Sequence, residues 1–359
     1  MIDFINGLLL NQLFYKEVVA PLLVSRFPDL NYSAALIGWG SEVLGYDDLQ
    51  STDHNWGPRF QLFLAEQEYE KYRELVNNVL NEQLPSVFRG YPTTFPIVGD
   101  EDQHGSDNSL LHNLEVQTIR GYFIRYLGCD PHGQIKAADW LTFAEHKLLA
   151  VTSGKVFHDG LDELEAIRLK FRYYPEDVWL YMLAAQWEKI SEEGAFVGRC
   201  GYVGDELGSE LIAARQVRNL MKLCFLMERK YAPYSKWFGT AFNQLACAGE
   251  LGPIFMSVLQ SKDWRTRQEF LAHAYEIVAR MHNALGVTIP LKETVAPYFG
   301  RPYLVIGDER YVEELKKSLK SEEVRSIKYP LGSVNQFVDS NDKLNNLDLC
   351  RKLKELYQV

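Results

Sequence analysis

The residues best suited to chemistry lie in one run, Gly40-Ser41-Glu42-Val43-Leu44-Gly45-Tyr46-Asp47-Asp48-Leu49-Gln50-Ser51-Thr52-Asp53-His54-Asn55-Trp56-Gly57-Pro58-Arg59. The apolar segment Tyr32 to Gly38 reads as a buried strand that delivers Gly40 and Ser41 to a tight turn. Unpaired backbone amides and the serine hydroxyl at such a turn can hold a phosphate. About a dozen residues later Asp53 is expected at the start of the next strand. On a regular strand Asp53 and Asn55 share a face and can offer two oxygens to one divalent cation. His54 then points to the other face and reads as a core or supporting histidine. An acid on a neighbouring strand would complete a two-metal clamp for phosphoryl transfer. By itself a Gly-x-Gly-Ser turn is a common loop, and Asp53-His54-Asn55 is equally an Asx-type turn at a strand end.

This wording resembles the signature of the DNA polymerase beta-like nucleotidyltransferase superfamily: Gly-Ser, a spacer, then Asp-x-acid. The stretch through Ser51-Thr52-Asp53-His54-Asn55-Trp56-Gly57-Pro58-Arg59 is similar to the family called domain of unknown function 4037. The likeness extends to Ser153–Asp159, Tyr173–Trp179, Gly204–Ser209 and Tyr231–Gly239, and so to most of the chain. The resemblance implies an α+β fold: an N-terminal nucleotidyltransferase-like mixed sheet with helices, followed by an all-α helical bundle. It assigns Gly40 and Ser41 to phosphate and Asp53 to the first metal carboxylate. The sequence departs from the pattern at Asn55, whose amide oxygen brings no charge to a hard cation. Glu115, within His112-Asn113-Leu114-Glu115-Val116, is the candidate third carboxylate. The implied reaction moves a nucleoside monophosphate from a Mg²⁺-bound NTP, with ATP the first choice, to an acceptor hydroxyl and releases pyrophosphate. The acceptor is unidentified, a small molecule ahead of a protein or an RNA end. Two other readings stand beside it: a catalytically impaired pseudo-nucleotidyltransferase that binds a nucleotide or a protein, and a helical interaction module with a vestigial α/β cap.

The helical half offers further candidates. Asp205 and Glu206 stand at a helix start, where acids cap the helix and complement its dipole; by the resemblance, Glu206 is also a candidate general base. Lys230, Tyr231, Tyr234, Lys236 and Trp237 form an aromatic and cationic cluster. Its members, Tyr234 and Lys236 above all, can contact a triphosphate and base by charge and stacking, or simply pack a helix end. Arg199 and Arg215 are secondary phosphate candidates, and Asp159 reads as a helix cap.

The elements that must position these groups divide the chain near residue 130, into 1–130 and 131–359. In the first part an amphipathic helix ends near Phe27-Pro28, strands cover 32–38, 56–64 and 111–118, and helices cover 66–84 and 119–127. The stretch 90–109 is rich in Pro, Gly, Asp and Thr and reads as a loop. After 139 apolar residues recur at three- and four-residue spacing, predicting helices over 138–152, 161–171, 175–193, 208–231, 236–249, 264–285 and 310–319. The tail beyond Ser333 holds one more helix.

Composition sets the outer limits. With 38 basic and 48 acidic side chains the net charge is −10, which disfavours a protein that grips duplex nucleic acid by neutralising phosphates. Five cysteines, at 129, 200, 224, 247 and 350, show neither zinc nor redox spacing and read as reduced thiols in a cytoplasm. Cys224 and Cys247 lie in apolar helical runs and read as small core hydrophobes. The N-terminal segment lacks a basic leader region, and no apolar run is expected to reach bilayer length, so no membrane partner is expected.

Overall fold

The computed structural model describes residues 4–53, 56–96, 110–306 and 309–357. The chain forms two compact units, one of Met1–Gln134 with Lys147–Arg172 and the other of Ile135–His146 with Tyr173–Val359. The fold is α+β, with a mixed sheet in the first unit and helices dominating the second.

Five strands build the main sheet of the first unit: Tyr32–Leu36 (β1), Arg59–Leu64 (β2), Thr94–Pro96 (β3), Leu110–Thr118 (β4) and Lys155–Asp159 (β5). Their order across the sheet is β3-β4-β2-β1-β5. Only β2 and β4 run parallel; the other neighbours are antiparallel. In β2 the residues alternate. Phe60, Leu62 and Leu64 join Leu10, Phe14, Val19 and Leu23 of the first helix and Val76 and Leu80 of helix Glu66–Gln83 in one core. Arg59, Gln61 and Phe63 occupy the other face, also buried. There the Phe63 ring meets Tyr122, of helix Ile119–Tyr126, edge to face at 5.7 Å. A central strand covered on both sides accounts for its nearly continuous apolar character.

Residues Gly7–Arg26 form one helical stretch that is long and apolar enough to cross a bilayer by length and composition. That corrects the expectation that no run reaches such a length. Its Leu10, Phe14, Val19 and Leu23 lie on the sheet, while Lys16 and Glu17 are exposed. Buried Asn11 fastens it to β2: its amide donates to the carbonyls of Gly7 (2.8 Å) and Gly57 (3.0 Å) and accepts the Arg59 N–H at 2.6 Å.

Three further differences from the sequence reading have local causes. Strand β5 lies in the connection between two expected helices of the half expected to be a helical bundle, and pairs with β1, so 147–172 belong to the first unit. Gly154, at φ +69°, lets the chain pass against the Leu36 carbonyl, where any Cβ would collide. The expected loop 90–109 contains β3; its part from 97 to 109 is outside the described residues. The expected helix 236–249 is broken into Phe238–Phe242 and Ala248–Gln260, the latter running on past Pro253. The Glu228 carboxylate accepts the amides of Ala246 and Cys247 (2.8 and 2.9 Å) and so starts the new helix.

The second unit packs helices Glu176–Glu193, Glu206–Met227, Ala248–Gln260, Trp264–Leu285 and Arg310–Ser318. Trp187 stacks on Tyr311 at 4.1 Å, and its indole N–H donates to His282 Nδ1 at 3.1 Å. Burial lowers the His282 pKa to about 4, which keeps that ring neutral and able to accept. The tail beyond Ser333 forms several short helices rather than one.

Candidate functional site

The glycine turn leaves β1 as expected. Gly40 has φ +122° and precedes the one-turn helix Ser41–Leu44. Beneath it lies Arg59, the first residue of β2. Its Nε donates to Glu42 Oε1 at 2.9 Å, and its Nη2 reaches both that carboxylate and the Trp39 carbonyl. Both side chains are almost entirely withdrawn from water, at 9% and 2% exposure. A Cβ on Gly40 would strike the guanidinium and the carboxylate, so only glycine fits the turn over this pair.

The acids that follow divide by role. Asp47 accepts from Asn6 Nδ2 (2.6 Å), Gly7 N (2.7 Å) and Trp56 Nε1 (3.0 Å), which makes it an anchor for the first helix. Asp48 accepts the amides of Gln50 and Ser51 and caps the 3₁₀ turn Leu49–Asp53. Asp53 is the last residue of that turn and not the first of a strand. The Trp56 indole held by Asp47 and the φ of +136° at Gly57 reorient the chain before pairing begins at Arg59. His54 and Asn55 lie outside the described residues.

Glu115 is on β4 beside Gln61 of β2. Its carboxylate accepts from Arg125 Nη2 and Gln117 Nε2, both at 3.2 Å. The same guanidinium donates to Gln117 Oε1. The candidate third acid is therefore already paired with a cation. Among the described residues no group of three His, Cys, Asp or Glu side chains is placed to hold a metal. As placed, the Glu115 carboxylate is compensated by a guanidinium, and the sequence offers an amide rather than a second carboxylate at position 55.

Lys147 went unnoticed in the sequence because helix Glu145–Thr152 was expected in the helical domain. It is buried, its ammonium lies 5.6 Å from the Trp39 ring centre and 5.5 Å from that of Tyr126, and it donates to the Tyr126 carbonyl at 3.3 Å. Trp39, next to the glycine turn, is half exposed and meets Tyr126 edge to face. The Tyr122 and Tyr126 hydroxyls are buried with no hydrogen-bond partner among the described residues, and burial drives both phenols well above their usual pKa. The first unit thus sets two buried cations, Arg59 and Lys147, around a glycine turn flanked by an exposed indole.

In the second unit the candidates take other duties. Asp205 caps its helix through the Gly208 amide at 2.8 Å. Glu206 accepts from Trp264 N (3.3 Å) and from Arg267 Nη1 (3.0 Å). Arg267 is buried and also binds Ser209, Glu210 and the Ser261 carbonyl, so Glu206 helps neutralise a core cation. Lys236 is exposed with its ammonium 4.8 Å over the neighbouring Trp237 ring, and Tyr234 is half-buried. Arg215 pairs with Glu193 at 2.6 Å, and Arg199 lies over Phe196. Asp159, in the first unit, accepts from Ser33 Oγ and the amides of Glu163, Leu164 and Glu165; this is the expected helix cap.

Glu145 is the most perturbed acid. Burial raises its pKa to about 7, opposed by the Ala232 N–H at 3.0 Å and by the charge of Lys222. Tyr173, Tyr174 and Tyr231 form a triangle in its vicinity, with ring centres 5.1–5.2 Å apart, and its charge adds to the burial that raises their phenols.

The first unit is α+β, with its glycine turn between two antiparallel strands and a third strand parallel to the second. The model of the family Domain of unknown function (DUF4037) matches residues 140–238, a span holding Glu145, Tyr173, Tyr174, Glu206 and Tyr231. A crystal structure of a nucleotidyltransferase-like protein from Exiguobacterium sibiricum is similar at 12% identity and a TM-score of 0.35, covering 87% of this chain and 88% of that one. No curated relative matches.

Two outcomes follow. Glu42→Ala leaves a buried guanidinium without its carboxylate and is expected to cost about 3–5 kcal/mol, read from the urea midpoint; a loss below about 1 kcal/mol would show that the pair is not integral. Between the ordinary value of 4.5 and about 7 the folded chain keeps a proton on Glu145 that the unfolded chain has lost, so stability falls as pH rises through that window. Glu145→Gln is expected to flatten the decline in thermal midpoint from pH 5 to pH 7.5. An identical slope in both proteins would contradict the assignment.

Proposed function

We propose that the chain is a nucleotide-binding module built on a nucleotidyltransferase-type unit, with nucleotidyl transfer curtailed by loss of acid charge. The observation that carries this reading is the pairing of Glu115 with Arg125 and Gln117, to which the sequence adds an amide at position 55. On this reading the turn Gly40–Ser41 meets the phosphates, with the buried Lys147 beside Trp39 supplying positive potential. The half-exposed Trp39 offers an aromatic face to the ligand.

A second reading, active transfer from Mg-ATP to the hydroxyl of a small-molecule acceptor, is favoured by one feature. The Arg125–Glu115 pair is exposed, at 64% and 49%, and exposed pairs contribute only about 0–1 kcal/mol, so Glu115 is readily released. In that case Asp53 and Glu115, with Asn55, are the residues that would face Mg²⁺.

Pyrophosphate release from Mg-ATP, measured beside calorimetric ATP binding, separates the readings. The wild-type chain is expected to bind ATP with release at background, and Asn55→Asp combined with Arg125→Gln to raise release at least about 10-fold. Steady release by the wild type, unaltered by Asn55→Asp, would favour the transferase. Absence of ATP binding would refute both.

A further inference from the structure

Three cations of the second unit close on one turn of the tail, and a fourth stands beside them. Helix Glu206–Met227 carries Arg215, Arg218 and Lys222, spaced by three and four residues and so along one face. Lys189 and Glu193 lie one turn apart on helix Glu176–Glu193, and Glu193 takes the Arg215 guanidinium at 2.6 Å, which joins the two helices. Against them lies the single turn Val334–Phe337. Gln336 fixes that turn by donating to the Met182 carbonyl (3.1 Å) and to Gln186 Oε1 (3.0 Å). The last carbonyls of a helix have no partner within it and attract cations. Here the Lys222 ammonium donates to the Asn335 carbonyl at 2.8 Å, and the Lys189 ammonium to the Gln336 carbonyl. Arg218 Nη2 donates to Asp339 Oδ1 at 2.7 Å, three residues further on.

The charges here do not balance. Arg215 and Arg218 each have a carboxylate, but among the described residues neither lysine forms an ion pair. Each half-buried ammonium spends one of its three donors, on a carbonyl. Burial lowers the pKa of both, to about 8 for Lys222; Arg218 lowers both further, against the charges of Glu192 and Glu145. The Arg218–Asp339 pair, by contrast, is open to water at 44% and 78% exposure, and such pairs are weak. We propose that Lys189, Lys222 and Arg218 form a binding site for a phosphate-bearing anion of two or more charges, with Asp339 as the internal anion that this ligand displaces. Its oxygens accept the unspent ammonium donors and the fork of Arg218. A singly charged anion gains little there, because it only replaces the charge that Asp339 already supplies. The site belongs to the second unit alone and does not depend on nucleotide binding at the glycine turn.

The test titrates the full chain with pyrophosphate by calorimetry, without Mg²⁺ and at physiological ionic strength, with inorganic phosphate and ATP in separate runs. The wild type is expected to bind pyrophosphate, and Arg218→Gln to weaken that binding about 10-fold. Asp339→Asn removes the internal anion and should tighten it about 2–5-fold, a gain that a misfolded chain cannot give. Lys71→Gln removes one exposed cation of the first unit and should leave the affinity unchanged. The same pattern with inorganic phosphate would support the site and mark the free ion as a ligand; the pattern with ATP but not phosphate would support it for an organic polyphosphate. An affinity unaltered by Arg218→Gln or by Asp339→Asn, equal weakening by Lys71→Gln, or no binding of any of the three anions would each overturn the inference.

Discussion

The glycine turn of the first unit rests on a charge pair that has almost no contact with water. Two ions withdrawn from solvent are tolerated only when each fully satisfies the other, and the remaining donors must also be used. Arg59 meets that condition by binding Glu42 and the Trp39 carbonyl from its side chain and Asn11 from its backbone. In doing so it joins four pieces of chain: the first helix, the end of β1, the one-turn helix and the start of β2. Gly40 is glycine because this pair fills the space a side chain would need. The turn, its exposed indole and the second cation Lys147 are arranged around that constraint.

Several acids of the chain are committed to structural duties. Asp47, Asp48, Asp159 and Asp205 satisfy backbone amides at helix and turn starts, as carboxylates do well. Glu42 and Glu206 each neutralise a buried arginine. Glu115 is held by an exposed one. What distinguishes the candidate site from the acidic surroundings is therefore its cations, which lie below the turn. An acid cluster of the kind that binds paired metal ions is not assembled among the described residues.

Much of this was legible in the sequence. Strand β1, the turn, strand β4 and the long helices follow from apolar periodicity and glycine placement, and the α+β class follows from the motif wording. Strand β5 was missed because Lys155-Val156-Phe157-His158-Asp159 is a short edge strand with little alternation, lying between helical segments. Its inclusion moved Lys147 into the first unit, and no local pattern in the sequence marks that lysine as buried. Asp53 was placed on a strand because spacing counts residues and not turns; the Asp47–Trp56 contact that delays β2 joins side chains nine residues apart. The pairings of Glu115 with Arg125 and Glu206 with Arg267 are likewise products of tertiary packing, which pattern alone does not reveal.

The central claim is that phosphate is held over the Arg59–Glu42 pair while Glu115 stays bound to Arg125. A crystal structure of the chain with Mg²⁺ and a non-hydrolysable ATP analogue tests it directly. The account predicts the triphosphate against the Gly40–Ser41 turn, with the Arg125–Glu115 contact intact. A metal ion ligated by Glu115, with Arg125 displaced, or a nucleotide bound away from the turn, would contradict it.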